Sequence, residues 1–145
     1  MAGFSLLKDT QDTEFETLRI ASQAYTIGDS VMLDRTSDSI DVVPATSSST
    51  TTGIYAVAAQ TVASSATQCL FIIIDPSQKW VTDSTNNSNA SHNYQRMLLT
   101  DKATVNNTGT DNTTDEAVFM QTGVQGAAAS KKVVGKFLKV ANVTA

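Results

Sequence analysis

Gln68-Cys69-Leu70-Phe71-Ile72-Ile73-Ile74-Asp75-Pro76 is the most strongly apolar run in the chain, and no charge interrupts it before Asp75. Side chains that are aromatic or branched at Cβ pack well on a pleated surface and lose rotamer freedom in a helix. Three isoleucines and a phenylalanine therefore favour an extended chain. Both alternating faces are apolar, so the run reads as a central strand covered on both sides. Pro76 has no amide hydrogen to give to a ladder, and it ends the strand. The run is too short to cross a membrane, which takes roughly 20 residues as a helix.

Upstream, Ile54-Tyr55-Ala56-Val57-Ala58-Ala59 follows Gly53, and its alanines are small enough to let a packing layer approach closely. Gly28-Asp29 is a turn signal ahead of Val31-Met32-Leu33. Ser39-Ile40-Asp41-Val42-Val43 answers as a hairpin partner across a loop of about five residues. Downstream, residues 77–83, 94–100, 117–124 and 131–140 carry further short strand patterns. Residues 45–52, 84–93 and 101–115 are rich in Ser, Thr, Asn and Asp and read as long polar loops. Short strands between turn-rich loops predict an all-β fold, a single compact β-sandwich or small barrel over residues 18–145. Residues 1–17 lack a sustained period and read as an extended N-terminal arm. Phe4, Leu6, Leu7 and Phe15 are too apolar for a free tail, so they either bind a neighbouring subunit or pack back on their own domain.

The 145 residues suffice for one domain; at this length a fold buries roughly 68–70% of the surface its unfolded chain exposes. Charged residues make up 17%, below the about 25% usual in globular chains. The net charge of −4 argues against a nucleic-acid partner, because phosphate binding needs clustered Lys and Arg. With one cysteine no intramolecular disulfide forms. The residues after Met1 lack the basic start and long apolar stretch of a secretory signal.

No Walker loop, dinucleotide-binding glycine motif, HExxH or CxxC occurs, so neither a cofactor nor a catalytic constellation is expected. Cys69 lies on an apolar strand, where a thiolate is disfavoured, and His92 sits in a polar loop. Asp101, Asp111, Asp115 and Glu116 carry the oxygen chemistry that calcium takes, but their spacing does not match an EF-hand loop. They read as a solvated loop, with no metal expected. Trp80 and Tyr94 are candidate surface aromatics of the kind that stack on sugars. Lys131, Lys132, Lys136 and Lys139 flank the last strand, where lysine discourages edge-to-edge pairing.

The order of these elements is informative. An apolar-dotted N-terminal arm is followed by Tyr25-Thr26-Ile27-Gly28-Asp29-Ser30-Val31. Gly53-Ile54-Tyr55-Ala56-Val57-Ala58-Ala59 precedes a strongly apolar strand. Then come Lys79-Trp80-Val81-Thr82-Asp83, a Ser/Thr/Asn-rich loop system and a final Val134-Gly135-Lys136-Phe137-Leu138 strand. In this order the chain resembles the head decoration, or cement, proteins of tailed phages. The resemblance implies a compact β domain with no enzymatic activity, bound to the major capsid protein on the outer surface of the virion after assembly in the host cytoplasm. It also implies a homo-oligomer, a trimer before other states, with Phe4, Leu6, Leu7 and Phe15 reaching over neighbouring subunits. No nucleic acid or membrane partner is expected. The alternative is a receptor- or glycan-binding β module of a phage fibre or secreted adhesion protein, using Trp80, Tyr94 and the polar loops.

Overall fold

In the computed structural model, which describes residues 3–8, 13–47, 53–114, 117–125 and 130–138, the chain is all-β. Its strands are β1 (Ser5–Lys8), β2 (Phe15–Arg19), β3 (Ser30–Leu33), β4 (Val42–Pro44), β5 (Ala56–Ala58), β6 (Gln68–Ile73), β7 (Lys79–Ser84), β8 (Arg96–Asp101), β9 (Thr104–Asn106), β10 (Phe119–Val124) and β11 (Lys132–Phe137). One 3-10 turn, Ala90–His92, is added. The strands form two sheets, in the orders β1-β7-β11-β10-β8-β9 and β2-β6-β5-β3-β4.

The first sheet closes on itself. β9 runs parallel to β7 at Asp83–Thr104 and Ser84–Val105, which completes a five-stranded barrel β7-β11-β10-β8-β9. β1 pairs with β7 at Ser5–Val81 and Leu6–Trp80, next to the stretch that β9 occupies. The second sheet curls until its two edges approach, and they meet in one parallel bridge, Ile20–Val42.

Strand alternation divides the apolar residues between two cores. Leu18, Val31, Val42, Ala56, Ala58, Cys69 and Phe71 fill the inside of the curled sheet, with Tyr25 set edge-on to Phe71. The intervening residues of the same strands, Val57 and Ile72, face the other way and join Trp80, Met97, Leu99, Phe119, Val133 and Phe137 in the barrel core. β6 is thus covered on both faces, as its unbroken apolar run predicts. Phe71 and Ile74 are fully buried, while Ile72 and Ile73 are half-buried. Gly135 sits where a Cβ would run into the Phe119 ring and the Met120 carbonyl. A missing side chain on β11 is what lets the aromatic ring lie against that strand.

The Gly28-Asp29 turn joins the two sheets. Gly28 N–H donates to Ala58 O at 3.0 Å within the curled sheet, and Gly28 O accepts from Phe4 N–H at 2.9 Å. Gly3 has φ +77°, and a Cβ there would lie 2.6 Å from Gly28 O. Only glycine combines that dihedral with so close an approach. The Asp29 carboxylate is buried, accepts from Thr26 N–H at 2.9 Å and faces Lys102 Nζ at 3.5 Å. Ser30 donates through both N–H and Oγ to Lys102 O at 2.7 Å.

Four expectations need correction. First, the segment 1–17, read as an extended arm outside the β domain, is part of the two sheets where it is described: β1 belongs to one sheet and β2 to the other, and Phe4, only 2% exposed, takes the alternative of packing back on its own domain. Apolar side chains this close to a sheet edge gain more by docking on it than by remaining in water. Residues 1, 2 and 9–12 lie outside the described residues. Second, Leu33 pairs with Val42, so the hairpin loop is longer than the pattern predicts. Third, the polar stretch 101–115 contains a strand, β9, whose one apolar residue, Val105, is fully buried. Fourth, β11 is not an edge strand, since β7 and β10 flank it on either side. Residues 48–52, Asp115, Glu116, 126–129 and Lys139 also lie outside the described residues.

Candidate contact surface

The four apolar residues of the N-terminal segment part company in the fold. Phe4 lies between Phe119 and Phe137, with ring centroids 5.7 and 4.8 Å away. Leu6 is half-buried against the same core. Leu7 and Phe15 are 51% and 54% exposed. Strand alternation accounts for the split. Leu6 stands opposite Trp80, whose side chain points inward, and the register of β1 then shifts at Leu7. On β2, Leu18 is inward, which puts Phe15, Thr17 and Arg19 outward. Leu7 borders a shallow groove of about 440 Å³, shared with Val81, Gln125, Ser130 and Lys132.

A second, larger groove of about 730 Å³ lies between β2 and β4, where the curled sheet fails to zip shut. Arg19 and Asp41 bind each other across it, with two nitrogens on Asp41 Oδ1 at 3.1 and 2.7 Å. That bond lowers the Asp41 carboxyl and raises the guanidinium. Tyr55 Oη donates to Glu16 Oε2 at 3.3 Å. Burial, with the adjacent Glu16 carboxylate, pushes the Tyr55 phenol up to about 12.

The two candidate aromatics do not form a surface pair. Trp80 is fully buried, packed edge-on against Phe137 at 5.7 Å. Tyr94 is 71% exposed and stands at φ +70°, an unusual backbone conformation for a bulky side chain. Its N–H donates to Gln121 O at 2.6 Å, which holds the turn. Cys69 and His92 are not brought together. Cys69 is inside the curled sheet, where burial raises its thiol, and its Sγ points at Gln60 O. His92 lies in the 3-10 turn against Gly109.

Asp101 and Asp111, the described acidic residues of the 101–115 stretch, are both tied to backbone amides. Asp101 Oδ1 accepts from Ala103 N–H at 2.8 Å. Asp111 accepts from both the amide and the guanidinium of Arg96, at 2.8, 3.1 and 2.6 Å. These bonds lower the Asp111 carboxyl to about 2. A carboxylate depressed in the folded chain favours folding above its ordinary value of 3.8, and that contribution disappears as the pH falls through about 2. A carboxyl-carbon NMR titration is expected to find the Asp111 midpoint near 2 in the native chain, moving to its ordinary value in Arg96→Ala. A native midpoint at the ordinary value would mean that the clamp is open in solution.

Sequence reasoning missed both grooves. Each is made by strands far apart in the chain, and only register brings them together. No protein-family model matches the chain, and no curated protein matches it.

Proposed function

We propose that this chain is a non-enzymatic capsid decoration protein, which binds the outer surface of a phage head as a homo-oligomer and strengthens the joints between major capsid subunits. The observation that carries the reading is the display of Leu7 and Phe15. Both leave apolar area in water that a partner would bury, a gain of about 25 cal/mol per Å². Each sits on an outer strand, and β1 and β2 belong to different sheets, so both contacts are held by rigid scaffolds. Holding the contact residues in place before binding spares the entropy of ordering them. Repeating a modest contact on every copy around a head accumulates into a large total resistance to internal pressure. The order of elements, from an apolar N-terminal segment to the final lysine-bearing strand, supports the same reading through its likeness to cement proteins. The glycan-binding alternative keeps Tyr94 but loses Trp80 to the core.

The test is co-sedimentation with purified heads that lack a decoration protein. The native chain is expected to pellet at a saturating, fixed ratio to the major capsid protein. Leu7→Asp and Phe15→Asp are expected to stay folded and to lose at least tenfold in apparent affinity, about 1.4 kcal/mol each. Failure of the native chain to pellet with any such head, alongside binding to immobilised glycans, would overturn the proposal in favour of the adhesion module.

A further inference from the structure

The outward face of β7 carries Lys79, Val81 and Asp83, and that of β11 carries Lys132, Val134 and Lys136. Register sets them side by side. Lys132 stands opposite Asp83 and bonds to it, and Val134 stands opposite Val81. Continued one step beyond the Gly135–Trp80 pair, the same register sets Lys136 beside Lys79. The chain therefore places Lys79 and Lys136 side by side in one row across two neighbouring strands. Like charges directly across a sheet are destabilising, and among the described residues no carboxylate pairs with Lys79 or Lys136. Protection of a free edge does not account for the row, because β11 is flanked on both sides. In a chain of net charge −4, such a row fits an anionic partner.

The complementary surface is present on the same chain. The groove between β2 and β4 is lined by Glu16, Asp34 and Asp38, with Leu33, Ile40 and Tyr55 as its apolar part. Of its two arginines, Arg19 is committed to Asp41, and Arg35 is the other. In the order β2-β6-β5-β3-β4, the seam lies across the sheet from β5, whose Val57 packs into the barrel core. The groove belongs to the curled sheet and its loops, while the lysine row lies on the barrel's outer wall. The two surfaces share no described residue. They match in charge, and each has an apolar centre, Val81 and Val134 on one side and Leu33 and Ile40 on the other.

We infer that the lysine row of one copy docks into the acidic β2–β4 groove of a second copy, head to tail. Such a contact is heterologous. Every copy keeps one row and one groove free for the next, and the chain of contacts closes into a ring when the rotation between copies allows it. The inference rests on the oligomer part of the proposed function and not on capsid attachment, which a monomer can also perform.

Analytical ultracentrifugation of the full chain tests it. At low ionic strength the native chain is expected to sediment faster than a monomer. It should revert to monomer in about 1 M salt, where charges are screened within roughly 3 Å. Lys79→Glu with Lys136→Glu, and Glu16→Lys with Asp38→Lys, are each expected to give folded monomers by circular dichroism. Mixing these two chains, or combining all four replacements in one chain, is expected to restore assembly, because opposite charges face each other again. A native chain that stays monomeric at low salt overturns the inference, as does a four-fold variant that is folded yet monomeric. A monomeric native chain whose capsid pelleting is lost in the lysine double variant would assign the lysine row to an acidic capsid surface instead.

Discussion

Replacing Phe4 by alanine is expected to cost about 3–5 kcal/mol, the range for truncating a fully buried phenylalanine. In a domain of this length that is a drop in melting temperature on the order of 10 °C. The ring is 2% exposed and contacts both Phe119 and Phe137. Its backbone is tied as well, through the Gly28 carbonyl, so the cavity has little freedom to collapse. Removing residues 1–8 should do more, since it also strips β1 from β7 and takes Gly3 N–H from the Asp83 carboxylate, 3.0 Å away. Thermal unfolding followed by circular dichroism measures both effects. A loss below about 1 kcal/mol for Phe4→Ala would place the segment outside the core and restore the extended arm, because surface truncations fall in that range. The consequence for function is direct. If the segment is core, a truncated chain that fails the proposed capsid-binding test reports unfolding, and only Leu7 and Phe15 replacements isolate the proposed contact.

How far the sequence reveals the fold depends on the range of the signal. β6 is legible because its cue is local: six consecutive apolar residues require cover on both faces, and Phe71 and Ile72 receive it from different cores. β9 is not legible, because Thr104-Val105-Asn106 offers one apolar side chain among polar neighbours. Its place between β7 and β8 is set by partners about twenty residues upstream or nearer across a turn. β1 is too short to show a period, and its inward residues dock on a strand more than seventy positions away. Trp80 reads as a surface aromatic when taken alone. In Lys79-Trp80-Val81-Thr82-Asp83-Ser84 the alternation buries it together with Thr82 and Ser84, two polar residues that mask the inward face. The lysines of β11 are visible as charges, but the row that Lys136 forms with Lys79 needs the register of the β7–β11 pairing. The contact surface is for this reason less legible than the core: a core residue announces itself by being apolar, whereas a surface is defined by which strands lie side by side.

Phe71→Ala is expected to cost about 3–5 kcal/mol, well above Ile73→Ala, whose side chain is half-buried and whose loss should stay at or below the lower end of the 2–5 kcal/mol range for isoleucine truncation. Phe71 is fully buried inside the curled sheet, edge-on to Tyr25. The chain's one tryptophan, Trp80, lies in the other core, inside the barrel. The two cores share strands rather than a flexible boundary. Val57 and Ile72 extend from the curled sheet into the barrel core, while their neighbours Ala56, Ala58 and Phe71 fill the first. At the same junction Gly28 O accepts from Phe4 N–H and Ser30 N–H donates to Lys102 O. A defect at Phe71 therefore has no boundary at which to stop, and the protein should unfold in one cooperative step. Trp80 fluorescence and far-ultraviolet circular dichroism should then give coincident transitions, and Phe71→Ala should move both by the same amount. A tryptophan transition that stays in place while the circular dichroism splits would show that the barrel folds on its own, and that the shared strands β5 and β6 do not couple the two halves.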